Sequence, residues 1–194
     1  VICSGGGSKI SMSPEVFAVF AELVAKRLQS PANGSALEIG AGAWTLLSIP
    51  TLRECRKVAL NLRFDTVSEL LMQTEMVVGN SNAMDFQDKT FDCVMSCSAI
   101  EHDRYFWRSL TEIRRVLKTG GLFVVGVPIY MTLPTDCLNT TLTYARHGVS
   151  YDADFYRFSQ QAVREVFFEG FSAVLDEVIV RQYPNPYLVA AARK

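Results

Sequence analysis

Ser35-Ala36-Leu37-Glu38-Ile39-Gly40-Ala41-Gly42-Ala43-Trp44 is the stretch on which the reading of the whole chain turns. An apolar run of strand length carries one acid, closes on two glycines one residue apart, and leads into a helix-compatible segment. That is the grammar of a strand-turn-helix cradle for a nucleotide-like ligand. Glycine lets the backbone turn tightly and approach the ligand with no Cβ between them. Gly-x-Gly also occurs in ordinary turns, so its flanks decide its meaning.

Working outward, the pattern alternates. Ser13-Pro14-Glu15 opens a helix over 14–27: a capping hydroxyl, proline at the first position and an acid in the first turn. A second helix is expected at 45–53, shortened or broken by Pro50, and further helices at 66–73 and 105–117. Lys118-Thr119-Gly120-Gly121 reads as the C-cap of the last of these. Strands are predicted at 57–62, 76–78, 91–96 and 122–127. Strands alternating with helices imply a mostly parallel sheet covered on both faces. Residues 129–158 break the rhythm with a polar, aromatic, irregular run, the expected substrate-side insertion. A helix at 160–168 follows, then strands at 173–180 and 187–192, paired antiparallel across Pro184-Asn185-Pro186.

Composition narrows the classes of function. The 194 residues fit a single domain over 1–194, with 49% hydrophobic and 20% charged residues, as in a compact protein. Nineteen basic residues against 20 acidic ones leave a net charge of -1, so nothing points to nucleic acid as a partner. The apolar runs are strand-sized, which argues against a membrane span. Cys3, Cys55, Cys93, Cys97 and Cys137 lack paired metal spacing and read as reduced thiols of a cytoplasmic protein, with no metal site expected. The start at Val1 fits a fragment or a processed chain, and Cys3-Ser4-Gly5-Gly6 is too polar for a secretory signal core.

Four stretches then carry a resemblance: Leu37-Glu38-Ile39-Gly40-Ala41-Gly42, Met84-Asp85-Phe86, Phe91-Asp92 through Ile100-Glu101-His102, and Leu117-Lys118-Thr119-Gly120-Gly121. In their order and spacing the chain resembles the class I S-adenosylmethionine-dependent methyltransferases that act on small molecules. The match covers about 35–127, and the terminal strand pair extends it to the C-terminus. The resemblance implies an α/β, Rossmann-like, doubly wound and mostly parallel seven-stranded sheet with a C-terminal antiparallel strand pair. It implies S-adenosylmethionine as cofactor, S-adenosylhomocysteine as product and a small-molecule acceptor methylated on O or N.

The cofactor residues implied are Glu38, Gly40, Ala41, Gly42, Asn61, Leu62, Asp85, Phe86, Cys97 and Ser98. Glu38 either orients the cofactor's ammonium group or caps loop amides. Asp85 and Phe86 either meet the adenine or are a turn acid and a core aromatic. Two positions depart from the family pattern: Trp44 stands where many relatives have a third glycine, and Asn61 replaces an acid that would hold ribose hydroxyls. Trp44 either covers the cofactor or packs between helix and sheet. These departures leave a catalytically inactive, ligand- or partner-binding domain as the alternative. An NAD site is a poorer fit, because Thr45 stands where that fingerprint needs Gly or Ala.

Because the cofactor supplies the electrophile, the protein's task is to position the acceptor and take its proton. The chain has two histidines, His102 and His147, and these are the candidates for a general base. Tyr144, Tyr151, Asp154 and Arg157 form either an acceptor pocket or a solvated loop.

Overall fold

A computed structural model describes residues 12–29, 32–65, 67–132, 141–142, 154–182 and 185–194. The first helix, α1 (Pro14–Arg27), starts as its sequence dictates, with the Ser13 hydroxyl accepting from the Val16 amide and Pro14 at the first turn. Strand β1 (Ser35–Ile39) follows and is buried along its whole length. The segment after it never becomes an α-helix. Two 3-10 turns, Leu46–Ser48 and Pro50–Leu52, stand there instead, separated at Ile49 in an extended conformation. Proline disfavours helical geometry in the residue before it, so Pro50 stops the helix at the expected place.

Next come β2 (Arg56–Asn61), α2 (Glu69–Met72), β3 (Glu75–Val78) and β4 (Phe91–Cys97). Helix α2 is a single turn where eight residues were expected, and Ser68 caps it by accepting from the Leu71 amide. Helix α3 (Phe106–Val116) buries Leu110, Ile113 and Val116 on one stripe and carries Arg114 and Arg115 in its last turn.

The expected cap at 118–121 is a correction. The chain turns extended at Leu117, and β5 (Leu117–Pro128) begins there, with Gly120 in the left-handed region. Long-range bonds draw these residues into the sheet: Lys118 Nζ donates to the Asp92 carboxylate at 2.8 Å, and the Gly120 amide donates to the Lys194 carbonyl at 2.8 Å. The register slips between Phe91 and Cys93, which absorbs the extra residues as a bulge.

Beyond β5, a small antiparallel pair, β6 (Met131–Thr132) and β7 (Thr141–Leu142), lies within the predicted insertion. A short α4 (Gln160–Ala162) continues into a π-turn at Val163–Phe167. The chain ends in β8 (Ala173–Gln182) and β9 (Asn185–Arg193), paired antiparallel as expected.

The sheet has seven strands in the order β3-β2-β1-β4-β5-β9-β8. The first five run parallel, and β9 joins β5 antiparallel. One face packs Val16, Phe20, Leu23 and Val24 of α1, together with the 3-10 turns, over Ala36, Met95 and Val124. The other packs Ile113 of α3 and Phe167 of the π-turn over Leu37, Val94, Phe123 and Ala190. Strand order reverses between β1 and β4, and open parallel sheets bind ligands beyond the carboxyl ends of strands at such a point. Among the described residues, no helix is long and apolar enough to cross a membrane.

Candidate functional site

Beyond the ends of β1, β2, β3 and β4 lies a cleft of about 600 Å³. Its walls include Gly40, Asn61, Leu62, Ser98 and His102, which the sequence nominates, and Asn80, Ser81, Asn82, Ala99, Asp103 and Phe155, which it does not. Gly40 has φ +80°, and a Cβ placed on it would collide with the Cβ of Ala99. Glycine is required there by both backbone and space. Gly42 differs: a Cβ on it would meet nothing within 4 Å. Together with Ala41 and Asn61, Gly42 faces a second cleft of about 700 Å³, rimmed by Trp44, Phe64 and Leu70. Trp44 is 60% exposed, so it is not a wedge between helix and sheet.

Glu38 does not line either cleft. Its carboxylate is buried and accepts from the Thr45 hydroxyl and from the amides of Leu46 and Leu47. Burial pushes its pKa up to about 7, while these donors pull it back down. Its partners match the loop-capping alternative. Asn61 likewise serves the loop: its amide donates to the Ala41 carbonyl at 2.7 Å and its oxygen accepts from the Leu62 amide at 2.8 Å.

Asp85 is exposed and stands outside the lining of the cleft, and Phe86 packs edge-on against Phe91 at 5.1 Å. The cause lies in α3. Arg115 donates to the carbonyls of Met84 and Phe86 and to the side chains of Glu112 and Asp88, while Glu112 accepts from the Met84 amide. Pinned in this way, the loop turns Asp85 outward, and Asn80, Ser81 and Asn82 form the wall instead. The Asp103 carboxylate ties that wall down, accepting from Asn82 and Ser109. The visible signal was the polar Gly79-Asn80-Ser81-Asn82 run directly after a strand.

Cys97 is turned away, with its Sγ 3.3 Å from the Tyr187 hydroxyl, and burial pushes its thiol up to about 12. His102 sits in a turn (Ile100–His102) between two acids, with Nε2 3.9 Å from Glu101 and Nδ1 3.8 Å from Asp154. Arg157 grips the same Asp154 carboxylate through two donors at 2.6 and 2.8 Å. The Glu101 carbonyl accepts from the amides of Phe155 and Tyr156, which brings Phe155 to the rim beside Arg104. Tyr144, His147 and Tyr151 lie outside the described residues.

Comparison with known proteins agrees with this architecture. Residues 37–125 match the family described as "Methyltransferase domain". A Thermotoga maritima structure, described as a SAM-dependent methyltransferase and possible histamine N-methyltransferase, superposes with a TM-score of 0.68 at 17% identity, covering 92% of this chain and 89% of that one. The Burkholderia thailandensis 1,6-didemethyltoxoflavin-N1-methyltransferase, solved with 1,6-didemethyltoxoflavin and S-adenosylhomocysteine, gives 0.67 at 15% identity, covering 92% and 77%. An uncharacterised protein of Methanocaldococcus jannaschii is 25% identical over 105 residues, 54% of this chain and 45% of that protein. The chain spans less than half the length of the curated relatives it matches. Over residues 37–125 the chain is therefore similar to the methyltransferase domain family, and its fold is that of these solved methyltransferases.

Proposed function

We propose that this protein transfers a methyl group from S-adenosylmethionine to an O or N atom of a small polar acceptor. The observation that carries this reading is the cleft at the strand-order switch, where Gly40 makes the tight turn against Ala99 and Asn61, Leu62 and Ser98 form the wall; Gly42, on the same loop, faces the neighbouring cleft. The cleft's size and its mixed wall of Leu62, Asn80, Asn82 and Ser98 suit an adenosyl group, whose ring is flat and whose edges and ribose need polar partners.

When bound, S-adenosylmethionine supplies the electrophilic methyl group. The residues that would hold it are Gly40, Asn61, Leu62, Asn80, Asn82 and Ser98, with Ala41 and Gly42 shaping the loop. Glu38 holds that loop from behind, through Thr45, Leu46 and Leu47. His102 is the general base in this reading. Glu101 and Asp154 flank its imidazole and favour the imidazolium formed when it takes the acceptor's proton. Arg157 offsets part of the Asp154 charge and holds the carboxylate in place. Asp154 and Arg157 thus support His102, while the acceptor side belongs to 129–158. The balanced charge suits a small acceptor, and the reduced thiols of buried Cys93 and half-buried Cys97 suit a cytoplasmic setting.

Calorimetric titration with S-adenosylmethionine and S-adenosylhomocysteine tests the reading. Micromolar binding, lost in Asn80→Trp, whose side chain would fill the cleft, is the expected result. No binding by folded protein would favour the alternative, an inactive ligand- or partner-binding domain. One observation favours that alternative: the Glu38 and Asn61 side chains both hold the loop itself.

A further inference from the structure

Ser98 directly follows β4 with φ +49°, in the left-handed region that a serine rarely occupies, and it lines the cleft beside Ala99. Its backbone amide donates to the Gly126 carbonyl at 3.1 Å and to the Tyr187 hydroxyl at 2.9 Å. The Ser98 hydroxyl also lies 2.9 Å from that phenol oxygen. The phenol oxygen also pairs with Ser98 Oγ and Cys97 Sγ, and in each pair either atom can be the donor. Tyr187 is far away in sequence, on β9, and outside the segment 37–125 that matches the methyltransferase family.

The ring itself cannot drift. Gly126 of β5 leaves just enough room for it: a Cβ there would lie 2.7 Å from the Tyr187 ring and 2.8 Å from that of Phe20. On the far side of Ser98, Ala99 is packed so closely against Gly40 that no side chain fits between them. A line of contacts therefore runs from Phe20 and Gly126 through Tyr187 to Ser98, Ala99 and the glycine loop.

We propose that Tyr187 is a positioning residue for the cofactor cleft: its hydroxyl holds Ser98 left-handed and so sets the Ala99 wall against Gly40. The proposal rests on the methyltransferase reading for its functional consequence, but its structural part can be read without any ligand. A left-handed serine is disfavoured unless its surroundings over-determine it, and strain of this kind gathers at functional sites. Here the over-determination comes from a strand that enters the sheet last.

The test compares Tyr187→Phe, Ser98→Gly and the double variant. Tyr187→Phe keeps the ring and removes only the hydroxyl. It is expected to weaken S-adenosylhomocysteine binding roughly tenfold, the size that goes with driving one serine into the left-handed region on binding. Amide hydrogen exchange across 97–102 in the ligand-free protein should speed up. Ser98→Gly in the Tyr187→Phe background should restore affinity to within about threefold, because glycine occupies that region without penalty. A purely structural loss at Tyr187 would not be rescued in this way. Wild-type affinity and exchange in Tyr187→Phe would overturn the proposal, as would a double variant no better than Tyr187→Phe. If the wild type binds no S-adenosylhomocysteine, the cofactor reading fails and the exchange comparison alone decides the role of Tyr187.

Discussion

The two wings of the sheet are built differently. On one side, β3 has four residues, α2 is a single turn, and Leu70, Met72, Met76 and Val78 are exposed. On the other, β5 runs for twelve residues, and Leu188, Val189, Ala190, Ala191 and Ala192 of β9 are fully buried. Lys26 and Arg27 of α1 clasp Asp176 of β8 there, at 3.0 and 2.6 Å, fastening a helix across the edge. The cleft lies between the wings and takes one wall from each. Its glycine loop hangs on the open wing, through the Gly40 amide to the Leu60 carbonyl at 2.8 Å and through Asn61 to Ala41. Its Ser98–Ala99 wall hangs on the closed wing, through Tyr187. The contrast suggests that fold stability resides on one side and that the other is shaped mainly by local backbone bonds.

The largest expected effect tests where the stability sits. Phe123 is fully buried and stacks with Phe171 at 5.8 Å, so Phe123→Ala should cost about 3–5 kcal/mol in urea unfolding. A loss below about 1 kcal/mol would break the comparison. The two glycines come next. Gly40→Ala should cost about 2–4 kcal/mol, from left-handed strain plus the clash with Ala99. Gly42→Ala should stay within about 1 kcal/mol, since no atom crowds that position. Equal losses at the two sites would mean that the loop is not divided into a structural and a ligand-facing glycine.

Glu38 sharpens the comparison through pH. Its folded pKa of about 7 lies above the ordinary carboxylate value, so between those values the folded state holds more protons than the unfolded one. The stability this contributes is fully present below about pH 4.5, declines as pH rises, and is gone above about pH 7. The full decline should be on the order of 3 kcal/mol. Glu38→Gln should flatten it in denaturant melts run from pH 5 to pH 8; an unchanged slope would assign the proton to another group. The smallest effect belongs to the open wing, where Met76→Ala should change stability by less than about 0.5 kcal/mol in the same assay.

Much of this was legible locally. The Ser13-Pro14 helix start, the break at Pro50, the strand and glycine turn at 35–42 and the terminal strand pair all follow from short patterns. Capping, proline geometry and apolar runs act over a few residues, so the chain displays them directly. Three features did not show. Residues 118–121 have the composition of a helix cap, yet pairing with Asp92 and Lys194 drew them into a strand. Residues 66–73 read as a helix, but among the described residues of that stretch only Glu69–Met72 formed one, starting at the Ser68 cap. Asp85 was the expected adenine-side acid, yet Arg115, thirty residues on, turned it outward and gave the wall to Asn80 and Asn82.

The sequence by itself determined the order of the elements, the parallel sheet with its antiparallel end, and the place of the glycine loop. Only the tertiary structure decided which side chains meet there: Glu38 under the loop, Asp154 against His102, and Tyr187 behind Ser98. The physical reason is range. Periodicity and turn chemistry are properties of neighbours in the chain, whereas a hydrogen bond between β4 and β9 exists only once the sheet has brought them together.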